Sequence, residues 1–166
     1  MTASPRPASS AAESPPVLAL AVATVFGVGY VPVASGTFGS AAGLILWWLL
    51  PASPIAQAVA ILLLLAIGSW SGTVAERHFG TNDPSQVVID EVMGMLITLF
   101  MNPVGWRGAA LAFFLFRVAD VVKPYPANRL ERLPGGFGVM ADDGMAAVYA
   151  NLGLRAALAV WHALIG

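Results

Sequence analysis

Hydrophobic residues along this chain form long blocks rather than an alternating pattern, and short polar segments separate the blocks. The longest apolar runs cover residues 17–34, 55–70 and 144–165, the last with Arg155 inside it. Crossing a hydrocarbon core of about 30 Å takes roughly 20 helical residues. Each of these runs is therefore expected to form a helix that spans a membrane or nearly does. The shorter runs 41–50, 92–101 and 109–122 predict half-depth or partly buried helices.

Two proline-containing segments mark turns between these helices. Residues 51–54 read Pro-Ala-Ser-Pro, and residues 102–105 read Asn-Pro-Val-Gly. Proline and glycine end helices and favour turns, so each segment predicts a helical hairpin with antiparallel arms. The pattern therefore predicts an all-α fold, a compact multi-helix membrane-embedded bundle with short helical hairpins and a polar site at one end.

The domain organisation follows from composition. Residues 1–16 are rich in Ala, Ser and Pro and predict a disordered N-terminal tail. The remainder, 17–166, is expected to be one helical membrane domain that opens with an uncleaved first helix. A small-residue pattern at 21–23 resembles a signal-peptide cleavage site, but too little apolar sequence precedes it.

Composition and charge strengthen the membrane interpretation. Of 166 residues, 58% are hydrophobic and 10% charged, and no Lys, Arg, Asp or Glu lies between Glu13 and Glu76. An ordinary globular domain is about one quarter charged. The 8 basic residues are balanced by 9 acidic ones without a basic run, which argues against nucleic-acid binding. The chain has no cysteine, which excludes disulfides, thiolate metal sites and a cysteine nucleophile.

The acidic residues are concentrated beside apolar segments. A charge near a membrane is costly and is usually paired, coordinated or used in function. Five of the nine acids have this placement: Asp90, Glu91, Asp120, Asp142 and Asp143. The hairpins are expected to bring them to the same end of the bundle, so they are candidates for one site.

The first two candidate clusters pair acids with helix starts and with basic residues. Asp90 and Glu91 stand where a helix begins, where they could bind Mg²⁺ through hard oxygen atoms or simply cap the helix. Arg117, Asp120 and Lys123 recur every three residues, so they lie along one helical stripe. That stripe is either a chain of ion pairs or a phosphate site in which Asp120 binds metal and the two cations hold phosphate oxygens.

Two glycine-containing segments complete the candidates. Residues 135–144 predict a tight loop that delivers Asp142 and Asp143 to the start of the last helix. One acid is explained by capping, but two adjacent like charges favour a cation between them. Residues 35–40, Ser-Gly-Thr-Phe-Gly-Ser, precede a predicted helix whose N-terminus could hold an anion. A turn with a helix cap explains the same segment.

Together these segments resemble the phosphatidylglycerophosphatase A family over residues 27–150. The matching pieces are Gly36 to Ser40, Asp83-Pro84 leading into Ile89-Asp90-Glu91-Val92, Phe116-Arg117 with Asp120 and Lys123-Pro124, and Gly138-Val139-Met140 before Asp142-Asp143. The resemblance implies hydrolysis of phosphatidylglycerophosphate to phosphatidylglycerol and phosphate with Mg²⁺, in phosphatidylglycerol and cardiolipin biosynthesis. It also implies a multi-pass protein of the bacterial cytoplasmic (inner) membrane, whose partners are this substrate and membrane lipids.

The residue types suggest how such a reaction would run. We expect Asp90, Asp120, Asp142 and Asp143 to supply most of a Mg²⁺ site, with Glu91 as a ligand or as the group that orients water. The terminal phosphate would be held by a set of four side chains: Thr37, Ser40, Arg117 and Lys123. Water activated by the metal is the expected nucleophile, with an aspartate as the alternative. The competing class is a non-enzymatic membrane protein that binds lipid or ions through its buried acids, and a third possibility is a phosphatase of another phosphate monoester.

Overall fold

Within the residues that the computed structural model describes, 16–130 and 132–165, every regular element is a helix. These are α1 (Val17–Ala23), a 3-10 turn (Val28–Tyr30), α2 (Ser35–Leu49), α3 (Pro54–Phe79), α4 (Ile89–Leu99), α5 (Trp106–Val122), α6 (Ala127–Leu130) and α7 (Gly136–Ile165). The all-α prediction is confirmed for this part of the chain. The predicted disordered tail, apart from Pro16, lies outside the described residues.

The short helix α4 forms the centre of the bundle. Nine of its eleven residues are buried, because α2, α3, α5 and α7 all pack against it. Met95 and Leu99 of α4 join Phe116 of α5 and Leu154 of α7 in one apolar cluster. A second cluster joins α1, α3, α4 and α7 near the opposite end of α4. Together the two clusters surround α4 from Ile89 to Leu99.

Glycines on one face of α2 allow it to lie directly against α4. A Cβ atom on Gly39 would come within 2.9 Å of Cβ of Val88, and one on Gly43 within 2.8 Å of Cβ of Met95. Side chains larger than hydrogen would therefore force the two helices apart. Small residues at such interfaces let helix backbones approach closely, and here the close approach brings the N-terminus of α2 next to the start of α4.

The prediction of one long helix over 17–34 was wrong. Helix α1 ends at Ala23, and the backbone turns through three residues with positive φ: Val25, Phe26 and Gly27. The Gly27 N–H donates to Oγ1 of Thr24, and Ala23 accepts a hydrogen bond from the Val88 N–H. The local bond to Thr24 and the tertiary bond from Val88 together outweigh the apolar run's tendency to continue as a helix.

Two helix starts also differ from the prediction. Helix α2 begins at Ser35, so residues 35–40 are its first turns rather than a segment before it. Helix α7 begins at Gly136, so Asp142 and Asp143 lie inside a helix and not in a loop. The reason at Gly136 is packing, since its N–H bonds to Oγ1 of Thr73 at 2.9 Å and a Cβ there would lie 2.6 Å from the Thr73 nitrogen.

Both predicted turns are present, but the first does not join two closely packed arms. Residues 50–53 separate α2 from α3, and residues 100–105 separate α4 from α5. Helix α2 packs chiefly on α4, whereas α3 packs chiefly on α7 and α1. In the first predicted hairpin, α2 therefore packs against α4 rather than against α3.

Membrane-spanning character is clearest in α3. Among the described helices, it alone has both the length and the hydropathy to cross a bilayer, with a mean hydropathy of 2.0 over its best window. Its large apolar side chains Ile55, Leu62 and Leu63 are exposed. Exposed apolar surface of this kind marks a contact with lipid or protein. The described part of the chain is thus an all-helical bundle with one candidate membrane-spanning helix.

Candidate active site

Charged residues that are distant in the sequence meet in one cavity of about 620 Å³. The start of α2, the start of α4, the end of α5 and an early turn of α7 surround it. Six of the predicted site residues line its wall: Asp90, Glu91, Arg117, Asp120, Lys123 and Asp143. The segment around the 3-10 turn and the connection between α3 and α4 close the remaining sides.

Three carboxylates form the innermost part of the cavity. Asp90, Glu91 and Asp143 each present an oxygen atom within 4.8 Å of the others. One oxygen of each has no hydrogen-bond partner among the described residues, namely Oδ1 of Asp90, Oε2 of Glu91 and Oδ2 of Asp143. Buried polar atoms normally have partners, so this cluster has the geometry and the unmet bonding capacity of a cation site.

The electrostatics of the cluster follow from burial and from repulsion between like charges. Asp90 and Asp143 are almost fully buried, and this burial, together with neighbouring carboxylates, raises the pKa of both well above the ordinary value. Burial is also the main reason that the pKa of Glu91 rises to about 7. Without a cation, the folded protein therefore favours protons on this cluster.

The two basic side chains are each held by a carboxylate. NH1 of Arg117 lies 2.9 Å from Oδ2 of Asp120, three residues later on α5, and 3.9 Å from Oε1 of Glu91. Nζ of Lys123 donates to Oδ2 of Asp142 at 2.6 Å. The predicted stripe therefore contains an ion pair and also faces the cavity. Asp120, expected to be a metal ligand, is paired with Arg117 and is not one of the three converging carboxylates.

Asp142 differs from its neighbour Asp143 in position. It is almost fully buried but is absent from the cavity wall. Burial raises the pKa of Asp142 to about 6, although the hydrogen bond from Lys123 acts in the opposite direction. Adjacent residues on a helix point roughly 100° apart, which explains why only Asp143 reaches the acidic cluster.

The predicted phosphate-binding residues on α2 take different positions. Ser40 is fully buried, donates to the Gly36 carbonyl at 2.8 Å and accepts from NH1 of Arg117 at 3.4 Å. Thr37 is half-buried in the first turn and is not part of the wall. Ser35 and Gly36 line the cavity instead. The N-terminus of α2 faces the cavity and favours negative charge there.

Several wall residues were absent from the sequence-based set. Asp83, Ser85 and Gln86 come from the connection between α3 and α4, and Tyr30 comes from the 3-10 turn. Oδ2 of Asp83 lies 3.9 Å from Nζ of Lys123. The Asp83-Pro84 pair was part of the family resemblance, which is the signal that could have added it. Tyr30 lies inside an apolar run and offered no such signal.

Comparisons with known proteins identify relatives over most of the chain. A family model described as phosphatidylglycerophosphatase A matches residues 21–158. A protein of Escherichia coli K12 named phosphatidylglycerophosphatase A is 35% identical over 130 residues, which is 76% of each chain. A protein of the same name from Haemophilus influenzae is 38% identical over 139 residues, covering 81% of this chain and 84% of its own.

A third relative carries a different name. A Bacteroides thetaiotaomicron protein, provisionally named a phosphatidylinositol-3-phosphatase, is 38% identical over 144 residues. The match covers 81% of this chain and 90% of the relative. No solved structure matches the chain with significance. The family model spans all the charged residues on the cavity wall.

Proposed function

The chain belongs to the phosphatidylglycerophosphatase A family, and we propose that it hydrolyses phosphatidylglycerophosphate to phosphatidylglycerol and inorganic phosphate in the cavity described above, with Mg²⁺ as cofactor. It is a phosphoric monoester hydrolase by family. This membership answers the competing idea of a non-enzymatic lipid- or ion-binding protein. The reaction would serve phospholipid biosynthesis in the bacterial cytoplasmic membrane.

The observation that carries the proposal is the position of an acidic cluster beside two cations in one cavity. The carboxylates of Asp90, Glu91 and Asp143 converge within 4.8 Å and keep unpartnered oxygen atoms. These hard ligands suit Mg²⁺, which in proteins usually binds one or two carboxylates plus substrate phosphate. A divalent cation would also relieve the repulsion between the three acids. The residues present therefore fit the cofactor that the family resemblance implies.

Each wall residue then has a proposed task. Asp90, Glu91 and Asp143 hold the cation, which when bound supplies positive charge to the phosphoryl oxygens and activates water. Arg117 and Lys123 bind phosphate oxygens, because phosphoryl transfer depends mainly on positioning and electrostatic stabilisation. Asp120 orients Arg117 through their 2.9 Å contact. The Ser40 hydroxyl also holds Arg117, by accepting a 3.4 Å hydrogen bond from its NH1.

The polar groups at the start of α2 complete the phosphate site. The backbone amides of Ser35 and Gly36 lie at the N-terminus of α2, whose first turn lines the cavity next to Arg117. Helix N-termini bind phosphate through such amides. We propose water as the attacking group, with Glu91 placed to orient it from the edge of the acidic cluster.

We further propose a multi-pass arrangement in the membrane. Helix α3 would cross the bilayer, accompanied by α5 and by the part of α7 that follows Asp143. Support comes from exposed apolar side chains on these segments, including Phe114 and Val118 of α5 and Leu152 and Val160 of α7. The acids and cations then lie at one end of the apolar surface, where a lipid headgroup meets water.

A second substrate is favoured by one specific observation. The Bacteroides thetaiotaomicron relative is named for a phosphatidylinositol phosphate, and both named substrates carry a phosphate monoester on a polyol headgroup. The cavity of about 620 Å³ lies in the range of ordinary ligand sites. Phosphatidylinositol 3-phosphate is therefore the second candidate.

The test is phosphate release by the purified full chain in detergent. Short-chain phosphatidylglycerophosphate and phosphatidylinositol 3-phosphate are supplied in parallel, each with Mg²⁺ and with EDTA. We expect release from the first substrate with Mg²⁺, loss of release in EDTA and recovery after Mg²⁺ is restored. Undiminished turnover after thorough chelation would refute the metal role. A preference for the inositol lipid would replace the proposed substrate with the second candidate.

A further inference from the structure

The two adjacent acids of α7 have separate partners. Asp143 belongs to the cluster of Asp90 and Glu91, whereas Asp142 makes a 2.6 Å hydrogen bond with Nζ of Lys123. Asp142 has only 2% of its surface exposed and does not line the cavity. Lys123 pairs with Oδ2 of Asp142, and Oδ1 has no hydrogen-bond partner among the described residues. Asp142 is nevertheless not one of the three carboxylates that converge within 4.8 Å, so it is poorly placed to bind the same cation.

Lys123 is constrained at its backbone as well as at its ammonium group. It follows the last residue of α5, with φ of 44°, and its N–H donates to the Ala119 carbonyl at 2.8 Å. Pro124 follows and prevents the helix from continuing. The backbone therefore fixes where the side chain starts, and Asp142 fixes where it ends, on the cavity wall.

An ammonium group near this cavity would otherwise be drawn to the acidic cluster. Three carboxylates lie close together there, and Coulomb attraction in a poorly solvated site is stronger than in water. A lysine side chain is long and flexible, so it needs a partner to keep one position. A buried carboxylate on a rigid helix provides that partner, and it accepts a short, charge-assisted hydrogen bond.

We propose that Asp142 is a positioning residue that holds the Lys123 ammonium group on the cavity wall for the substrate phosphate, and that it is not a ligand of the divalent cation. This inference rests on the proposed phosphatase function. It divides the Asp142-Asp143 pair into one residue that positions a phosphate-binding cation and one that binds metal. An ammonium group has three N–H donors, so the bond to Asp142 is compatible with contacts to phosphate oxygens.

The first experiment separates the two roles with Mn²⁺ as a spectroscopic probe. The full chain in detergent carries Asp142→Asn or Asp143→Asn, and bound Mn²⁺ is measured by electron paramagnetic resonance. Asp142→Asn should bind Mn²⁺ within about twofold of wild type, while its KM for phosphatidylglycerophosphate rises about 10- to 100-fold through loss of a charged hydrogen bond. Asp143→Asn should lose Mn²⁺ binding.

Two results would overturn the inference. Loss of Mn²⁺ binding in Asp142→Asn equal to that in Asp143→Asn would make Asp142 a ligand. An unchanged KM in Asp142→Asn would show that Lys123 does not depend on it. Failure of wild type to release phosphate would instead refute the proposed function, and the Mn²⁺ measurement does not depend on that reaction.

A second set of variants tests whether Asp142 acts through Lys123. The double variant Lys123→Met with Asp142→Leu replaces a partly buried ion pair by apolar side chains, which usually preserves the fold. It should bind Mn²⁺ like wild type and have the same KM as Lys123→Met alone. A KM increase equal to the product of the two single effects would contradict a shared role. Glu76→Gln is the matched control, since it removes a carboxylate charge outside the cavity wall and keeps an oxygen atom to accept the hydrogen bond from the Asp83 N–H.

Discussion

Gly36 lies against the Glu91 carboxylate, so close that a Cβ atom at this position would collide with Oε1. The same atom would lie 2.9 Å from NH1 of Arg117. The absence of a side chain at Gly36 thus lets the Glu91 carboxylate and the Arg117 guanidinium occupy adjacent space. Because Gly36 lies against both Glu91 and Arg117, a glycine is required at this position near the start of α2.

Gly36→Ala should therefore damage the site without unfolding the protein. The methyl group displaces Glu91 and Arg117 together, and loss of such supporting geometry typically costs about 10- to 100-fold in metal affinity or activity. The check is phosphate release together with Mn²⁺ binding by the purified variant. Gly153→Ala is the control, because a Cβ there meets only Leu115 at 3.7 Å, an ordinary contact. Full activity of Gly36→Ala would refute the packing argument.

Substitution of single acids should separate metal binding from phosphate binding. Asp90→Asn and Asp143→Asn each remove a proposed ligand from the cluster, so both should lose Mn²⁺ binding and phosphate release. Asp120→Asn should keep Mn²⁺ binding but lose release, because Arg117 loses its 2.9 Å partner. All three should remain folded by circular dichroism. Wild-type turnover by all three variants would count against the proposed site.

The sequence predicted which charged residues meet in one cavity better than it predicted the local structure around them. Spacing predicted Arg117, Asp120 and Lys123 on one helical stripe, and this holds for Arg117 and Asp120, which lie three residues apart on α5. Lys123 follows the last residue of the helix but also lines the cavity. The position of Asp142 away from the cluster was not predictable. It depends on α7 beginning at Gly136, which follows from a backbone contact with Thr73 on α3. Such a contact between distant segments has no signature in the local sequence.

The local structure of the N-terminal apolar run also depends on contacts between distant segments. Hydropathy alone favours one helix over 17–34, but Ala23 bonds to Val88 across the bundle. Gly29 also lies against the backbone of Gln86, where any Cβ atom would collide. The connection between α3 and α4 therefore determines where α1 ends. The 3-10 turn that follows brings Tyr30 to the cavity wall. Because this position depends on contacts between distant segments, sequence analysis did not identify Tyr30.

Stability without metal should fall as pH rises. The pKa values of Asp90, Glu91 and Asp143 are raised in the folded protein, that of Glu91 to about 7, above ordinary values of about 4. Groups with raised pKa stabilise the fold at acidic pH, and this contribution is lost as pH rises through the folded value. EDTA-treated protein should therefore melt at a lower temperature at pH 8 than at pH 6, as followed by tryptophan fluorescence.

Added Mg²⁺ should reverse this trend, because a cation binds the deprotonated carboxylates and stabilises the folded state that holds them. Asp143→Asn, which removes one titrating group, should show a weaker pH dependence in EDTA and a smaller response to Mg²⁺. An equal melting temperature at both pH values in metal-free wild type would contradict the electrostatic account of the cluster.

The far end of α4 provides a prediction about stability alone. Nδ2 of Asn151 on α7 lies 3.0, 2.9 and 3.0 Å from the carbonyl oxygens of Ile97, Thr98 and Phe100, and Arg155 holds the Asn151 side chain at 2.8 Å. These carbonyls end a helix and need donors, above all where water is scarce. Asn151→Leu preserves size but leaves them without this donor, at a cost of about 1–3 kcal/mol.

The melting temperature of Asn151→Leu should fall by about 2–4 °C per kcal/mol, while KM and Mn²⁺ binding of the folded variant stay at wild-type values. The matched control is Asn128→Leu, which changes an exposed asparagine and should melt like wild type. A wild-type melting temperature in Asn151→Leu would show that the bundle does not depend on this cap.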